Sequence, residues 1–270
     1  MRARAFPLPR LAPRRTALRR AGLALLGAVP ALLGAAPPGP PLPITRAVAV
    51  AEYPHDTRAY TEGLFIDRGE LWESTGEVGH SSVRQVELKT GRVLRQVAVP
   101  RPYFGEGIVP WRDQILSLTW QHHRGFRWSR AGLKRLGTFG YSGEGWALTS
   151  DGTRLIMSDG TPELRFIDPA SFKELGRVRV TANGQPVPRL NELEYVNGEV
   201  LANVWLTDLI VRIDPASGAV TGVIDVSDLH AKAGTDGRDD VANGIAWDGA
   251  TKKLYVTGKR WPVLFEVGAG

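Results

Sequence analysis

Residues 104–120, FGEGIVPWRDQILSLTW, decide the fold. An acidic residue, a glycine and an apolar residue (Glu106-Gly107-Ile108) open one short apolar run, and a second run, QILSLTW at 114–120, follows it. The same opening recurs at Glu62-Gly63-Leu64 and Glu144-Gly145-Trp146, with weaker copies at Glu192-Leu193 and Asn243-Gly244-Ile245. The starts at 62, 106, 144, 192 and 243 lie 44, 38, 48 and 51 residues apart, the length of one four-stranded propeller blade. Second strands read LWEST (71–75), QILSLTW (114–120), RLIMSD (154–159), EVLANVW (199–205) and KLYVTGK (253–259). Third strands read SVRQVEL (82–88), GFRWSR (125–130), ELRFID (163–168), LIVRID (209–214) and VLFEV (263–267). In LKTGRVLR, DPASFKELG and DPASGAVTG, turn-forming residues stand where the chain must reverse into a fourth strand.

No window after residue 45 sustains a 3.6-residue apolar period, so the expected class is all-β. The arithmetic gives a five-bladed β-propeller of four-stranded antiparallel blades over residues 46–270. The fifth repeat lacks a fourth strand. RAVAVAEY (46–53) belongs to no repeat and is expected to pair with the last blade as its outer strand, closing the ring and removing an exposed edge.

The chain has 270 residues and no cysteine, which excludes a disulfide scaffold, a thiol nucleophile and Cys-ligated metal. Its net charge of +6 would suggest a polyanionic partner, but seven Arg and no acid fall within residues 1–36, leaving the remainder at −1. No nucleic-acid partner is therefore expected. Residues 1–36 read as a signal peptide: an Arg-rich start, then the apolar AGLALLGAVPALLGAA (21–36), too short and too interrupted to span a bilayer. Residues 37–45 follow as a Pro-rich spacer. The mature protein is expected to be exported, periplasmic or secreted, by the general or the twin-arginine route (Arg14-Arg15), and to be a monomer without membrane attachment once the signal is removed.

Inner strands of a propeller begin at one mouth of the central channel, so Glu62, Glu106, Glu144, Glu192 and Asn243 are expected to ring that mouth. Trp120, Ser158, Trp205 and Lys259, at the far ends of second strands, return to the same rim. Crowded carboxylates must be neutral, paired with cations or metal-bound, unless they merely bind backbone N–H groups. Tyr60, Phe104, Trp120, Trp146 and Trp205 converge on this mouth and suit a small, partly apolar ligand. A carboxylate against indole loses hydration and rises in pKa, which makes Glu106 the candidate proton-transfer group.

These motifs amount to a resemblance. YTEGL (60–64), FGEG (104–107), LTW (118–120), Gly145-Trp146, LNELEY (190–195), ANVW (202–205), NGIAWD (243–248) and TGKRWP (257–262) are similar, in order and spacing, to the plant-type glutaminyl-peptide cyclotransferases and their bacterial members. The resemblance implies a five-bladed propeller that converts N-terminal glutamine of peptides or proteins to pyroglutamate with release of ammonia, with no metal. It also implies catalytic residues Glu106, Lys259 and Asn191, and substrate-binding residues Tyr60, Glu62, Phe104, Trp120, Trp146 and Trp205. The plant members carry Gln where this chain has Glu62 and Phe where it has Tyr60. In such a site the aromatic box selects the folded substrate conformer, Glu106 takes a proton from the α-amine and returns one to the leaving nitrogen, and Lys259, Asn191 and indole N–H groups face the oxyanion.

Two other readings fit parts of the pattern. A non-enzymatic ligand- or glycan-binding propeller would explain the Trp box, and a metal-dependent hydrolase or lactonase would explain the acidic ring. The five His (55, 80, 122, 123 and 230) lack metal-ligand spacing and read as solvated loop residues. The stretch Asp236–Asp240 could hold a structural Ca²⁺ but lacks the spacing of an EF-hand loop, so no cofactor is required.

Overall fold

The computed structural model describes residues 40–269, so the stretch expected to be a signal peptide and the first part of the expected spacer lie outside the described residues. All the described elements fall in the unit Pro38–Gly270. The first described element is β1 (Ile44–Pro54), which starts two residues earlier than the sequence pattern placed it. Three four-stranded antiparallel sheets follow. They are β2 (Thr61–Asp67), β3 (Glu70–Thr75), β4 (Ser82–Val86) and β5 (Val93–Ala98); β6 (Gly105–Trp111), β7 (Gln114–Thr119), β8 (Arg124–Ser129) and β9 (Arg135–Gly140); and β10 (Ala147–Ser150), β11 (Leu155–Ser158), β12 (Glu163–Ile167) and β13 (Glu174–Arg179). A small hairpin, β14 (Thr181–Ala182) and β15 (Gln185–Pro186), comes next. The rest comprises β16 (Leu190–Val196), β17 (Glu199–Val204), β18 (Leu209–Ile213), β19 (Val220–Asp225), α1 (Ser227–Ala233), β20 (Ala242–Asp248), β21 (Lys253–Gly258) and β22 (Val263–Ala269).

These last strands and β1 form one eight-stranded sheet in the order β16-β17-β18-β19-β1-β22-β21-β20. It consists of two four-strand groups joined through β1. Residues Ala47–Pro54 pair antiparallel with β22, as the orphan strand was expected to do, while Ile44–Arg46 pair parallel with Val223–Asp225 of β19. The parallel join was not legible in the sequence. Nor was α1, because the purely all-β reading did not allow for a one-sided turn of helix that buries only Leu229 and Ala233 and stops at the left-handed Gly234.

The strand that opens each group packs against the opening strand of the next, in the cyclic order β2, β6, β10, β16, β20 and back to β2. Apolar clusters fill the spaces between successive groups. Phe65, Trp72, Ile115 and Phe126 occupy one, Leu116, Leu148 and Met157 the next, and Leu64, Leu71 and Tyr255 close the cycle. Burying each such side chain contributes about 1.5–3 kcal/mol. The glycine of the opening motif is needed for this packing. A Cβ on Gly63 would lie 2.7 Å from the backbone nitrogen of Ile108, and one on Gly107 would lie 2.4 Å from Cα of Ala147, so only glycine lets neighbouring opening strands approach this closely.

Candidate active site

Four of the five motif positions, all but Glu144, coincide with backbone irregularities. Register shifts fall between Thr61 and Gly63, Gly105 and Ile108, Leu190 and Leu193, and Ala242 and Ile245. Each β-bulge takes one residue out of the ladder and turns its side chain away from the sheet face. The bulges carry Glu62, Glu106, Asn191 with Glu192, and Asn243 to one end of the opening strands.

There a cavity is lined by Tyr60, Glu62, Phe104, Glu106, Trp120, Trp146, Asn191, Trp205 and Lys259. All nine residues expected at the site line it. The aromatic walls are packed edge to face: Tyr60 and Phe104 at 6.0 Å, Phe104 and Trp120 at 5.9 Å, and Trp146 and Trp205 at 5.6 Å between ring centroids. At the floor Lys259 Nζ donates to Glu62 Oε1 at 2.6 Å and lies 4.3 Å from the centre of the Tyr60 ring. Asn243 Nδ2 donates to the carbonyl of Thr61 at 2.8 Å and to Glu62 Oε2 at 3.3 Å. Asn243 therefore sits behind Glu62 rather than in the cavity wall.

Glu106 is buried at 6% exposure beside this pair. Burial, followed by the charge of Glu62, pushes its pKa well above the usual carboxylate value, with Lys259 opposing. Burial also raises Glu62, but contact with Lys259 and the hydrogen bonds from Lys259 and Asn243 work against that rise. Both carboxyls are raised by burial, but Glu106 lacks a cation of its own and is the one pushed well above the usual carboxylate value.

The remaining expected members of the ring lie elsewhere. Glu192 is buried below the cavity, where its carboxylate accepts from the backbone nitrogens of Leu64 at 3.2 Å and Ile245 at 2.8 Å. It ties three opening strands together. Two residues further along β16 Glu194 accepts from Trp247 N at 2.8 Å, and burial pushes its pKa up to about 8. Ser158 is fully buried beneath the site and donates to the carbonyl of Asn191 at 2.8 Å. The Asn191 side chain makes no hydrogen bond among the described residues, to Glu106 or to any other group, and its Oδ1 is buried without a partner.

The expectation that indole N–H groups face an oxyanion needs correction for two of the three. Trp120 Nε1 and Trp146 Nε1 both donate to Oε2 of Glu144, at 2.7 and 2.9 Å. Only the Trp205 indole remains without an acceptor among the described residues. Glu144 was legible as a member of the repeat, but its role between two tryptophans was not.

One expectation outside the pocket also changes. His55 is a buried residue, since its Nε2 meets Glu73 Oε1 at 2.9 Å and Arg84 Nη2 donates to Glu73 Oε2 at 2.7 Å. Among the described residues no cluster of three or more His, Asp or Glu side chains is arranged to hold a metal ion; Asp240, in the stretch considered for Ca²⁺, instead pairs with Arg260 at 3.1 Å.

Comparison with known proteins places this geometry in context. Residues 26–269 match the family model described as glutamine cyclotransferase. The chain is 42% identical to the glutaminyl-peptide cyclotransferase of Arabidopsis thaliana over 229 residues, covering 83% of this chain and 71% of the relative. The crystal structure of Myxococcus xanthus glutaminyl cyclase superposes with a TM-score of 0.81 at 38% identity, covering 85% of this chain and 98% of that one.

Proposed function

The chain belongs to the glutamine cyclotransferase family, and we propose from that premise that it cyclises the N-terminal glutamine of peptides or proteins to pyroglutamate, releasing ammonia. The observation that carries this reading is the buried Glu106 inside an aromatic cavity, next to a carboxylate that is already paired with Lys259. The finer architecture proposed is a five-bladed propeller. The cyclic order of opening strands supports it, with the eight-stranded sheet counted as two blades stitched by β1.

The reaction needs one carbon–nitrogen bond made and one broken. The α-amine attacks the γ-carboxamide carbon of the same residue, so the site has only to select the folded conformer, and the aromatic walls do this by shape. The attacking nitrogen must lose a proton and the departing nitrogen must gain one. Glu106 in its acid form gives its proton to the departing NH₂ and takes one from the attacking nitrogen, ending as it began. Oxygen of the former amide carries negative charge in between. Lys259, the Asn191 amide and the Trp205 indole N–H are the polar groups available to it.

No step in this scheme calls for a metal, and metal independence is part of the proposal. So are a monomeric state and an exported location, which rest on the sequence alone. No helix among the described residues is long and apolar enough to cross a membrane. The test is ammonia release with conversion of a Gln-initiated peptide to its pyroglutamyl form, with and without EDTA. Turnover that survives EDTA is expected. Turnover abolished by EDTA and restored by a divalent ion would favour the metal-dependent hydrolase class, and binding without turnover a non-enzymatic module.

A further inference from the structure

We propose that Glu144 is a positioning residue that locks the aromatic wall of the cavity into its substrate-accepting shape. The proposal rests on the cyclotransferase reading for its kinetic consequences, but the geometry stands independently of it. Glu144 does not line the cavity. It precedes Trp146 by two residues and lies behind the wall, where a single oxygen, Oε2, accepts the indole N–H groups of both Trp120 and Trp146. The second oxygen, Oε1, accepts from Gln121 Nε2 at 3.1 Å.

Two aromatic groups, one of three rings and one of two, are joined by this carboxylate. Tyr60, Phe104 and Trp120 form a continuous edge-to-face series on one side, and Trp146 and Trp205 form another. No aromatic contact bridges Trp120 and Trp146; the bridge is Glu144. The joint matters because Trp120 lies just beyond the end of β7 and is 38% exposed. An exposed side chain at a strand end retains rotamer freedom that must be lost when substrate binds. A charged acceptor removes that freedom beforehand, since hydrogen bonds to a carboxylate are shorter and about twice as strong as neutral ones. Glu144 is suited to remain charged: burial pushes its pKa up, but the hydrogen bonds from Trp146, Gln121 and Trp120 outweigh burial and hold it below the usual value. Its charge also adds to the rise in the pKa of Glu106.

The experiment compares wild type with Glu144→Ala and Glu144→Gln, measuring kcat and KM on a Gln-initiated peptide, intrinsic tryptophan emission and the melting temperature. For Glu144→Ala the proposal expects KM to rise about tenfold or more while kcat stays within about threefold. Tryptophan emission should change in the free protein, as two indole N–H groups lose their acceptor. Glu144→Gln keeps one acceptor oxygen, so its KM should fall between those of wild type and Glu144→Ala. An unchanged KM and emission in Glu144→Ala would overturn the proposal, as would a loss confined to kcat. If Glu144→Ala proves poorly folded, Glu144→Gln decides: it must raise KM and shift emission at an unaltered melting temperature, and wild-type behaviour overturns the proposal. Failure of the cyclotransferase reading would show differently, as a wild-type protein without turnover, and the emission change would then still report on the joint.

Discussion

The ammonium of Lys259 lies 2.6 Å from Oε1 of Glu62, and both side chains are at most 5% exposed. Their pairing sets the charge that Glu106 faces. It leaves Glu106 buried, without a cation of its own and beside a negative neighbour, which together push its pKa well above the usual carboxylate value. A carboxylate at position 62 thus takes up the charge of Lys259 that would otherwise pull the proton off Glu106.

Replacing Glu62 by Gln should move the Glu106 limb of the pH profile toward acid. The charge of Glu62 raises the Glu106 pKa and Lys259 lowers it, so removing the former and releasing the latter act in the same direction. A kcat/KM profile on one peptide, compared between wild type and Glu62→Gln, checks this. A limb that stays put or moves toward alkali would contradict the assignment of the proton.

Trp205 packs edge to face against Trp146 and offers the one cavity indole N–H without an acceptor among the described residues. Trp205→Ala should raise KM by roughly tenfold or more, through lost apolar contact, and lower kcat by a smaller factor through the lost donor. Steady-state kinetics separate the two effects. Trp205→Phe, which restores the ring without the N–H, should recover most of KM.

The buried His55–Glu73–Arg84 network should govern stability rather than chemistry. Burial pushes Glu73 up, yet the charges of His55 and Arg84 and its hydrogen bonds override burial and hold it at about 2. Burial pushes His55 down, yet Glu73 raises it overall above its ordinary 6.5. A depressed acid stabilises the fold above its unfolded value and loses that contribution as pH falls. A raised histidine contributes fully below its unfolded value and loses its contribution as pH climbs through the raised pKa. The network's contribution should therefore be greatest between about 4.5 and 6.5, the ordinary values of the two groups. Glu73→Gln would leave Arg84 and His55 buried without their anion and should cost about 3–5 kcal/mol. Thermal melts of both proteins from pH 3 to pH 9 test this.

The fold was legible in the sequence wherever repetition spoke: the acid-glycine-apolar opening, the paired apolar runs and the turn residues each correspond to an element found. Eight of the nine residues that line the candidate cavity were legible for the same reason, at the repeat openings and strand ends, while Asn191 was named by the family resemblance alone. What repetition could not reveal were features unique to one place in the ring. The parallel pairing of Ile44–Arg46 with β19 depends on where a single leading strand begins. The burial of His55 depends on a partner, Glu73, that no spacing rule connects to it. Glu144 and Glu192 occupy equivalent motif positions yet do different work. One receives side-chain indoles and the other backbone nitrogens of neighbouring strands, and that choice follows from three-dimensional packing around each bulge and strand end.

The most direct test of the account is Glu106→Gln, assayed beside wild type for pyroglutamyl product and ammonia from a Gln-initiated peptide, with peptide binding and melting temperature measured on the same samples. The substitution keeps the shape of the side chain and removes only its ability to give and take a proton. The account predicts that the variant folds, still binds peptide, and loses turnover by at least about a hundredfold, the lower end for a positioned proton-transfer group. A folded Glu106→Gln protein that cyclises the peptide at the wild-type rate would contradict it.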